Sequence, residues 1–222
     1  MATLYKYGST GEGVKIIQRA LSQAGFPVIA DGIFRSVTQE AVVEFQRKHG
    51  LVSDGIVGPA TLALLVPQMA ASALHLKKSK RKITDIIIHC SATPRGKDYT
   101  VEDIRRWHKA QGWSDIGYHY VVYRNGHVEP GRDVDLIGAH CEGHNAHSIG
   151  ICYIGGMDSG NKHPDDTRTL AQKAGLLKIL EELHRLYPKA KIVSHRDYDT
   201  HGKKCPSFDA THEYEYIYKQ TT

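Results

Sequence analysis

Ile83-Thr84-Asp85-Ile86-Ile87-Ile88-His89-Cys90 is the stretch on which the fold of the larger part of this chain turns. It reads as a buried strand that ends in a loop. Working downstream, Thr100-Val101-Glu102-Asp103 resembles a capping box, with Asp in place of the usual Glu or Gln. It opens a helix that Gly112 closes. Residues 118–123 are β-rich and run into Asn125-Gly126, a strong hairpin signal with a return strand at 127–129. Residues 148–154 form another apolar strand. Thr167 caps a long helix to about Tyr187, stopped by Pro188, and residues 191–194 make a last core strand. Strands and helices interleave, and the hairpin adds antiparallel pairing. The expected class is α/β (α+β), a mixed central sheet flanked by helices.

Upstream the pattern differs. Asp31-Gly32-Ile33-Phe34 recurs as Asp54-Gly55-Ile56-Val57, and each copy precedes a Thr-bearing helix start, at Thr38 and Thr61. Apolar residues recur at helical spacing at Val14, Ile17, Leu21 and Ala24, then at Ala41, Val42 and Phe45, then at Leu62, Leu65 and Val66. Pro59 suits a first helical turn, and the Asp-Gly pairs read as turns. The expectation is a small three-helix domain over residues 1–66 with a core of Ile17, Leu21, Phe34, Val42, Phe45 and Leu62. Residues 67–82 read as a linker, Ala-rich at first as if extending the last helix, then charged and mobile. Residues 83–222 form the second domain.

The composition of the 222 residues, 41% hydrophobic and 24% charged, is that of an ordinary globular protein. No run approaches the ~20 apolar residues of a membrane span, and the N-terminus has no apolar secretory core. The net charge of +5 is concentrated in Lys77-Lys78-Ser79-Lys80-Arg81-Lys82. The segments on either side are close to neutral, which argues against nucleic acid as the main partner. The basic run offers a salt-sensitive contact for an anionic envelope surface through residues 77–82. Cys90, Cys141, Cys152 and Cys205 form no CxxC pair, and no disulfide framework is expected. Cys90 and Cys152 lie in apolar runs, whereas Cys205 lies in the loop Lys203-Lys204-Cys205-Pro206-Ser207-Phe208.

Three metal-ligand types stand at the ends of core strands or just beyond: His89, His195 and Cys205. Loops leaving strand ends can converge, and two imidazoles with a thiolate suit zinc. The residues alone leave this open. The three are far apart in sequence, no local motif such as His-Glu-x-x-His exists, and a strand-end His serves equally as a structural hydrogen-bonder.

Further motifs carry a resemblance. Ile88-His89-Cys90-Ser91-Ala92-Thr93, Trp107-His108-Lys109-x-Gln111-Gly112-Trp113, Ile116-Gly117-Tyr118-His119-Tyr120, Gly131-Arg132-Asp133, Gly138-Ala139-His140, Asn145-Ala146-His147-Ser148-Ile149-Gly150 and the Cys205 loop resemble the phage-lysozyme branch of the N-acetylmuramoyl-L-alanine amidases, over residues 83–212. Residues 8–66 are similar to the peptidoglycan-binding domain type found on many cell-wall hydrolases. The resemblance implies a zinc amidase that cleaves the bond between N-acetylmuramic acid and L-alanine in bacterial peptidoglycan. It places the zinc ligands on His89, His195 and Cys205, the catalytic tyrosine on Tyr118 and the catalytic lysine on Lys203.

The stretch from Arg196 to Lys204 is longer than in near family members, which leaves Lys204 as an alternative to Lys203 and His201 as a competing ligand. Period-two alternation puts Tyr118, Tyr120 and Val122 on one face and His119, Val121 and Tyr123 on the other. His140, Asn145 and His147, in a polar loop, are expected to contact substrate. Trp107 reads as core, and Trp113 as core or a sugar platform. A non-catalytic recognition protein of the same fold would lack the Cys ligand. The His-x-x-Gly-x-Ala-x-Asp motif of zinc DD-peptidases is absent. The expected setting is a monomeric phage endolysin, made in the host cytoplasm without a signal peptide and acting on the wall after release.

Overall fold

The computed structural model describes residues 4–69, 74 and 76–219, and the chain divides into two compact units, residues 1–73 and 74–222. The first unit contains α1 (Glu12–Gln23), α2 (Ser36–Lys48) and α3 (Pro59–Met69). Val14, Ile17, Leu21, Val42, Phe45 and Leu65 are completely buried and Phe34 almost so. Leu62, expected in this core, is only half-buried. The phase of α3 explains the exchange. Thr61 points inward to Gln46, and Leu65 lies one turn further along the same face, so Leu62 falls beside that stripe. The continuation of α3 beyond Met69 lies outside the described residues.

The internal repeat is a repeated hydrogen-bond clamp. Gln18 Nε2 donates to Asp31 Oδ1 (3.0 Å), the Ile33 carbonyl (3.1 Å) and Thr38 Oγ1 (3.0 Å), and its Oε1 accepts from Gly32 N (2.8 Å). Gln46 does the same with Asp54 (2.9 Å), Ile56 (2.9 Å), Thr61 (3.1 Å) and Gly55 N (2.9 Å). Each turn glycine is left-handed, with φ of +79° at Gly32 and +69° at Gly55. The repeat legible as Asp-Gly-Ile therefore has a third member, a buried Gln on the preceding helix.

In the second unit, β1 (Asp85–Cys90), β3 (Tyr120–Val122), β4 (Val128–Pro130), β5 (Ser148–Tyr153) and β7 (Lys191–Ser194) form a five-stranded sheet in the order β4-β3-β5-β1-β7. Only β3–β4, the Asn125-Gly126 hairpin, is antiparallel. The other pairings are parallel, which makes the sheet mixed, as expected. Ile86, Ile87 and Ile88 are fully buried on the central strand β1, consistent with a parallel strand covered on both faces. Two short strands, β2 (Thr93–Pro94) and β6 (Gly156–Met157), pair separately and have no clear sequence signal.

Helix α4 (Val101–Ala110) starts at a complete Thr100/Asp103 capping box. It buries Val101 and Ile104 in one cluster with Ile116, Val121, Cys152 and Ile154. Helix α5 (Leu170–Leu186) is capped by Thr169 with Gln172, not by Thr167. Thr167 Oγ1 instead accepts the Gly156 N–H at 2.7 Å. Helix α6 (Ala210–Lys219), which packs on β7, was not foreseen.

The basic stretch before β1, expected as a charged linker, makes several contacts with the second unit. Ser79 donates its N–H to Tyr187 Oη (2.5 Å) and its hydroxyl to the Val134 carbonyl (2.7 Å). Lys77 Nζ pairs with Asp133 (3.0 Å) and Asp135 (2.8 Å). Arg81 donates to the carbonyls of Val134 (2.8 Å), Asn145 (3.1 Å) and Ser148 (3.1 Å). A guanidinium with donors in a fixed fork can tie several carbonyls at once, which a sequence-level charge count does not register. Among the described residues, no helix is long and apolar enough to cross a membrane.

The clamp gives a direct stability expectation. Gln46→Leu strands the Gly55 N–H and the Asp54 and Thr61 side-chain oxygens, and should lower the unfolding free energy of the first unit by about 1–3 kcal/mol. Urea unfolding of the full chain, followed by fluorescence and circular dichroism, checks this.

Candidate metal centre

Strand pairing brings the first two expected ligands together. β1 and β7 run parallel with Ile88 opposite Ser194, so His89 near the end of β1 lies beside His195 just past the end of β7. Their ring centroids are 4.4 Å apart. Cys205 reaches them from the loop that follows. Its carbonyl accepts the Arg196 N–H at 2.8 Å, and its Sγ accepts the Cys90 N–H at 3.3 Å and lies 3.9 Å from His89 Nδ1. One ligand atom from each of His89, His195 and Cys205 falls within 4.8 Å of the others. His89 is buried, while His195 and Cys205 are half-buried, so the trio opens to solvent on one side.

The loop carrying Cys205 is held from three directions. Tyr153 Oη donates to the Pro206 carbonyl (2.7 Å), and Ser207 Oγ donates to the Gly156 carbonyl (2.8 Å). The Arg168 guanidinium lies 3.2 Å from the centroid of the Phe208 ring. Arg168 is itself buried and paired with Asp166 and Glu213, both at 2.8 Å.

The electrostatics suit a divalent cation. Burial, then His140 and His195, push His89 well below the ordinary imidazole range. Burial, then Lys203, lower His195. Both are therefore neutral at neutral pH, the form that ligates metal. The Cys90 thiol beside it, together with burial, raises the Cys205 thiol well above its ordinary range, and a cation is the charge that would hold it as thiolate. Two neutral imidazoles and one thiolate at these separations fit a divalent metal with N/S preference.

The remaining expected site residues divide. The Tyr118 ring lies 5.1 Å from that of His89, and burial raises its phenol well above the ordinary range. It precedes β3, so the alternation assumed from 118 onward does not hold there, and Tyr118 packs against the cluster containing Val121. Lys203 bonds Asp199 at 3.6 Å, and its charge bears on both His89 and His195. Lys204 is exposed. His201 is exposed and is not a member of the trio.

The three residues expected to contact substrate fall in different surroundings. His140 is buried and hydrogen-bonded to His89, with Nδ1 3.0 Å from His89 Nε2. Asn145 Oδ1 accepts the N–H groups of His140 (2.8 Å) and Cys141 (2.9 Å), which uses it to shape the loop. His147 is exposed, and its carbonyl accepts the Thr84 N–H at 2.8 Å. Of the three, His140 and Asn145 are engaged in hydrogen bonds within the protein, and the His147 side chain faces solvent. His108 was not singled out. It accepts the Gly117 N–H at 2.9 Å and stands between Tyr118 (5.5 Å) and the partly exposed Trp113 (4.4 Å).

The profile of the N-acetylmuramoyl-L-alanine amidase family matches residues 79–208, more than half of the chain. The chain belongs to that family. The amidase match begins at Ser79, inside the stretch that packs on the second unit. Residues 10–65 match the peptidoglycan binding domain family. Among curated relatives, the endolysin of Enterobacteria phage K11 is 45% identical over 131 residues, covering 59% of this chain and 84% of the relative. The endolysin of Escherichia phage T7 is 44% identical over 131 residues, covering 59% and 85%. The N-acetylmuramoyl-L-alanine amidase LysC from Clostridium intestinale shares the fold, with a TM-score of 0.51, 23% identity and coverage of 67% of this chain and 94% of that one. The modular arrangement, an amidase preceded by a wall-binding type of domain, agrees with the resemblance read from the motifs.

Arg168→Leu in this amidase would remove the cation of Glu213, leave Asp166 only the more distant Lys173, and release Phe208. Because both carboxylates are partly solvated, the expected loss is about 2–4 kcal/mol of unfolding free energy, at the lower end of or below that for a fully buried pair. Equilibrium unfolding with Glu213→Gln as a milder comparison measures it.

Proposed function

We propose that the chain is a zinc-dependent endolysin that hydrolyses the amide between N-acetylmuramic acid and L-alanine, with His89, His195 and Cys205 as the metal ligands. The convergence of these three residues at one sheet edge, in a member of the amidase family, is the observation that carries the reading. Zinc held there would supply Lewis acidity, polarising the amide carbonyl and acidifying water at neutral pH.

The chain's own residues supply the rest. Tyr118, kept protonated by burial, is a hydrogen-bond donor that orients the attacking water beside His89. Lys203 carries an ammonium on the loop that also bears Cys205, and donates to the oxyanion of the tetrahedral intermediate. Its influence on both histidines favours it over Lys204. Trp113, 39% exposed and packed on His108, which in turn meets Tyr118, offers a flat apolar surface to a sugar ring.

Residues 1–66 add affinity for the wall, the interdomain connection lies within 67–82, and residues 83–222 carry catalysis. The protein acts as a monomer, without nucleic acid, and reaches peptidoglycan from the host cytoplasm once the inner membrane is breached. Lys77 and Arg81 are engaged internally, so contact with an anionic envelope falls to Lys78, Lys80 and Lys82, which are exposed.

Mass spectrometry of digested sacculi tests the reaction. Free muramic lactyl carboxyls and new L-alanine amino termini are expected, and cleavage at any other bond defeats the assignment. Zinc-stripped protein and Cys205→Ser should be inactive, and full activity in either overturns the metal reading. Lys203→Ala should lower kcat by about 10²–10³-fold, with Lys204→Ala near the parent. For the first unit, sedimentation with sacculi should retain the full chain more strongly than residues 74–222; equal retention refutes a wall-binding role.

A further inference from the structure

His140 stands behind the metal trio, not in it. Its ring lies 5.0 Å from that of His89 and is turned 80° to it. Nδ1 is 3.0 Å from His89 Nε2, and Nε2 is 3.3 Å from Ser148 Oγ. The protons along this chain have one consistent order. The His144 carbonyl can only accept, so the Ser148 hydroxyl donates to it, at 2.8 Å. Ser148 Oγ then accepts from His140 Nε2–H. An imidazole that gives its one N–H to Ser148 has Nδ1 left as an acceptor, and that atom lies 3.0 Å from His89 Nε2, which therefore donates its N–H to it. His89 is thereby held with Nδ1 unprotonated, and Nδ1 is the atom 3.9 Å from Cys205 Sγ.

The slot around the ring is shaped for it. A Cβ on Gly150 would approach the His140 ring to 2.5 Å, and so would one on Gly138. Gly150 lies inside β5, opposite Ile87 of the central strand, where a glycine weakens the strand and marks a close approach. Asn145 fixes the His140 backbone N–H, and Arg81 ties the carbonyls of Val134 and Ser148 on either side of the loop.

We propose that His140, backed by Ser148, is a positioning residue: the acceptor that fixes the tautomer and ring orientation of His89 so that Nδ1 faces the metal. The inference rests on the zinc reading of the trio. A metal-ligating histidine commonly donates its second ring N–H to such a partner, and losing the partner weakens metal binding by ~10–100-fold. In this protein the partner is a second imidazole, terminated by a serine and a backbone carbonyl.

Two substitutions in the full chain separate positioning from packing. His140→Leu keeps apolar bulk and removes the acceptor. His140→Asn places a carbonyl oxygen close to where Nδ1 stood. Zinc affinity is measured by competition with a chromophoric chelator, and the thiolate-to-cobalt absorption band of the cobalt-loaded protein is recorded alongside. His140→Leu should bind zinc ~10–100-fold more weakly with a shifted band, and His140→Asn should stay near the parent in both. Equal affinity in His140→Leu, or a loss in His140→Asn as large as in His140→Leu, overturns the proposal. If His140→Leu does not fold, Ser148→Ala decides in the same assay: weaker zinc binding supports the relay, and unchanged binding overturns it. Nitrogen-15 NMR of the metal-free chain reads the His89 tautomer independently of zinc. A proton on Nε2 is expected, and a proton on Nδ1 rules the relay out. A parent chain that binds no zinc while showing the Nε2–H tautomer would instead defeat the zinc reading and leave the relay standing.

Discussion

The parallel pairing of β1 with β5 on one side and β7 on the other is the constraint on which the site depends. Parallel strands finish at the same edge of a sheet, so the residues at their carboxyl ends share a crevice there. His89 and His195 occupy two adjacent ends. The register is demanding. A slip of one residue in β1 would carry His89 to the opposite face and could put Ile88 in its place.

Around that edge, polar groups are placed so that few are left for solvent. Arg168 anchors Phe208 of the Cys205 loop, Arg81 gathers carbonyls from Val134 to Ser148, and Asn145 caps two backbone N–H groups. Each ties segments distant in sequence to the sheet. Buried imidazoles stay neutral because desolvation penalises the charged form, and a cluster of neutral histidines beside a thiol is receptive to a cation.

The first unit relies on repetition. One glutamine per repeat saturates an Asp-Gly turn and the threonine of the next helix, so the same local solution serves at Gln18 and at Gln46. Few apolar residues are available to so small a unit, and buried side-chain hydrogen bonds with every partner satisfied give its turns a defined shape.

By itself the sequence determined much of the local structure: the β1 run, the Thr100/Asp103 cap, the Asn125-Gly126 hairpin, β7 and the class of the fold. These depend on neighbours within a few residues, through periodicity, capping and turn chemistry. The candidate His89/His195/Cys205 trio was legible only through the motifs that mark the family, because spacing carries no information about which strand ends meet. What the tertiary structure alone decided was the destination of each polar side chain. His140 and Asn145 turn inward to partners, Arg81 and Lys77 dock a stretch that reads as a free linker, and Thr61 displaces Leu62 from the core. A hydrogen bond between groups tens of residues apart depends on the packing that brings them together, and sequence position does not encode that packing one residue at a time.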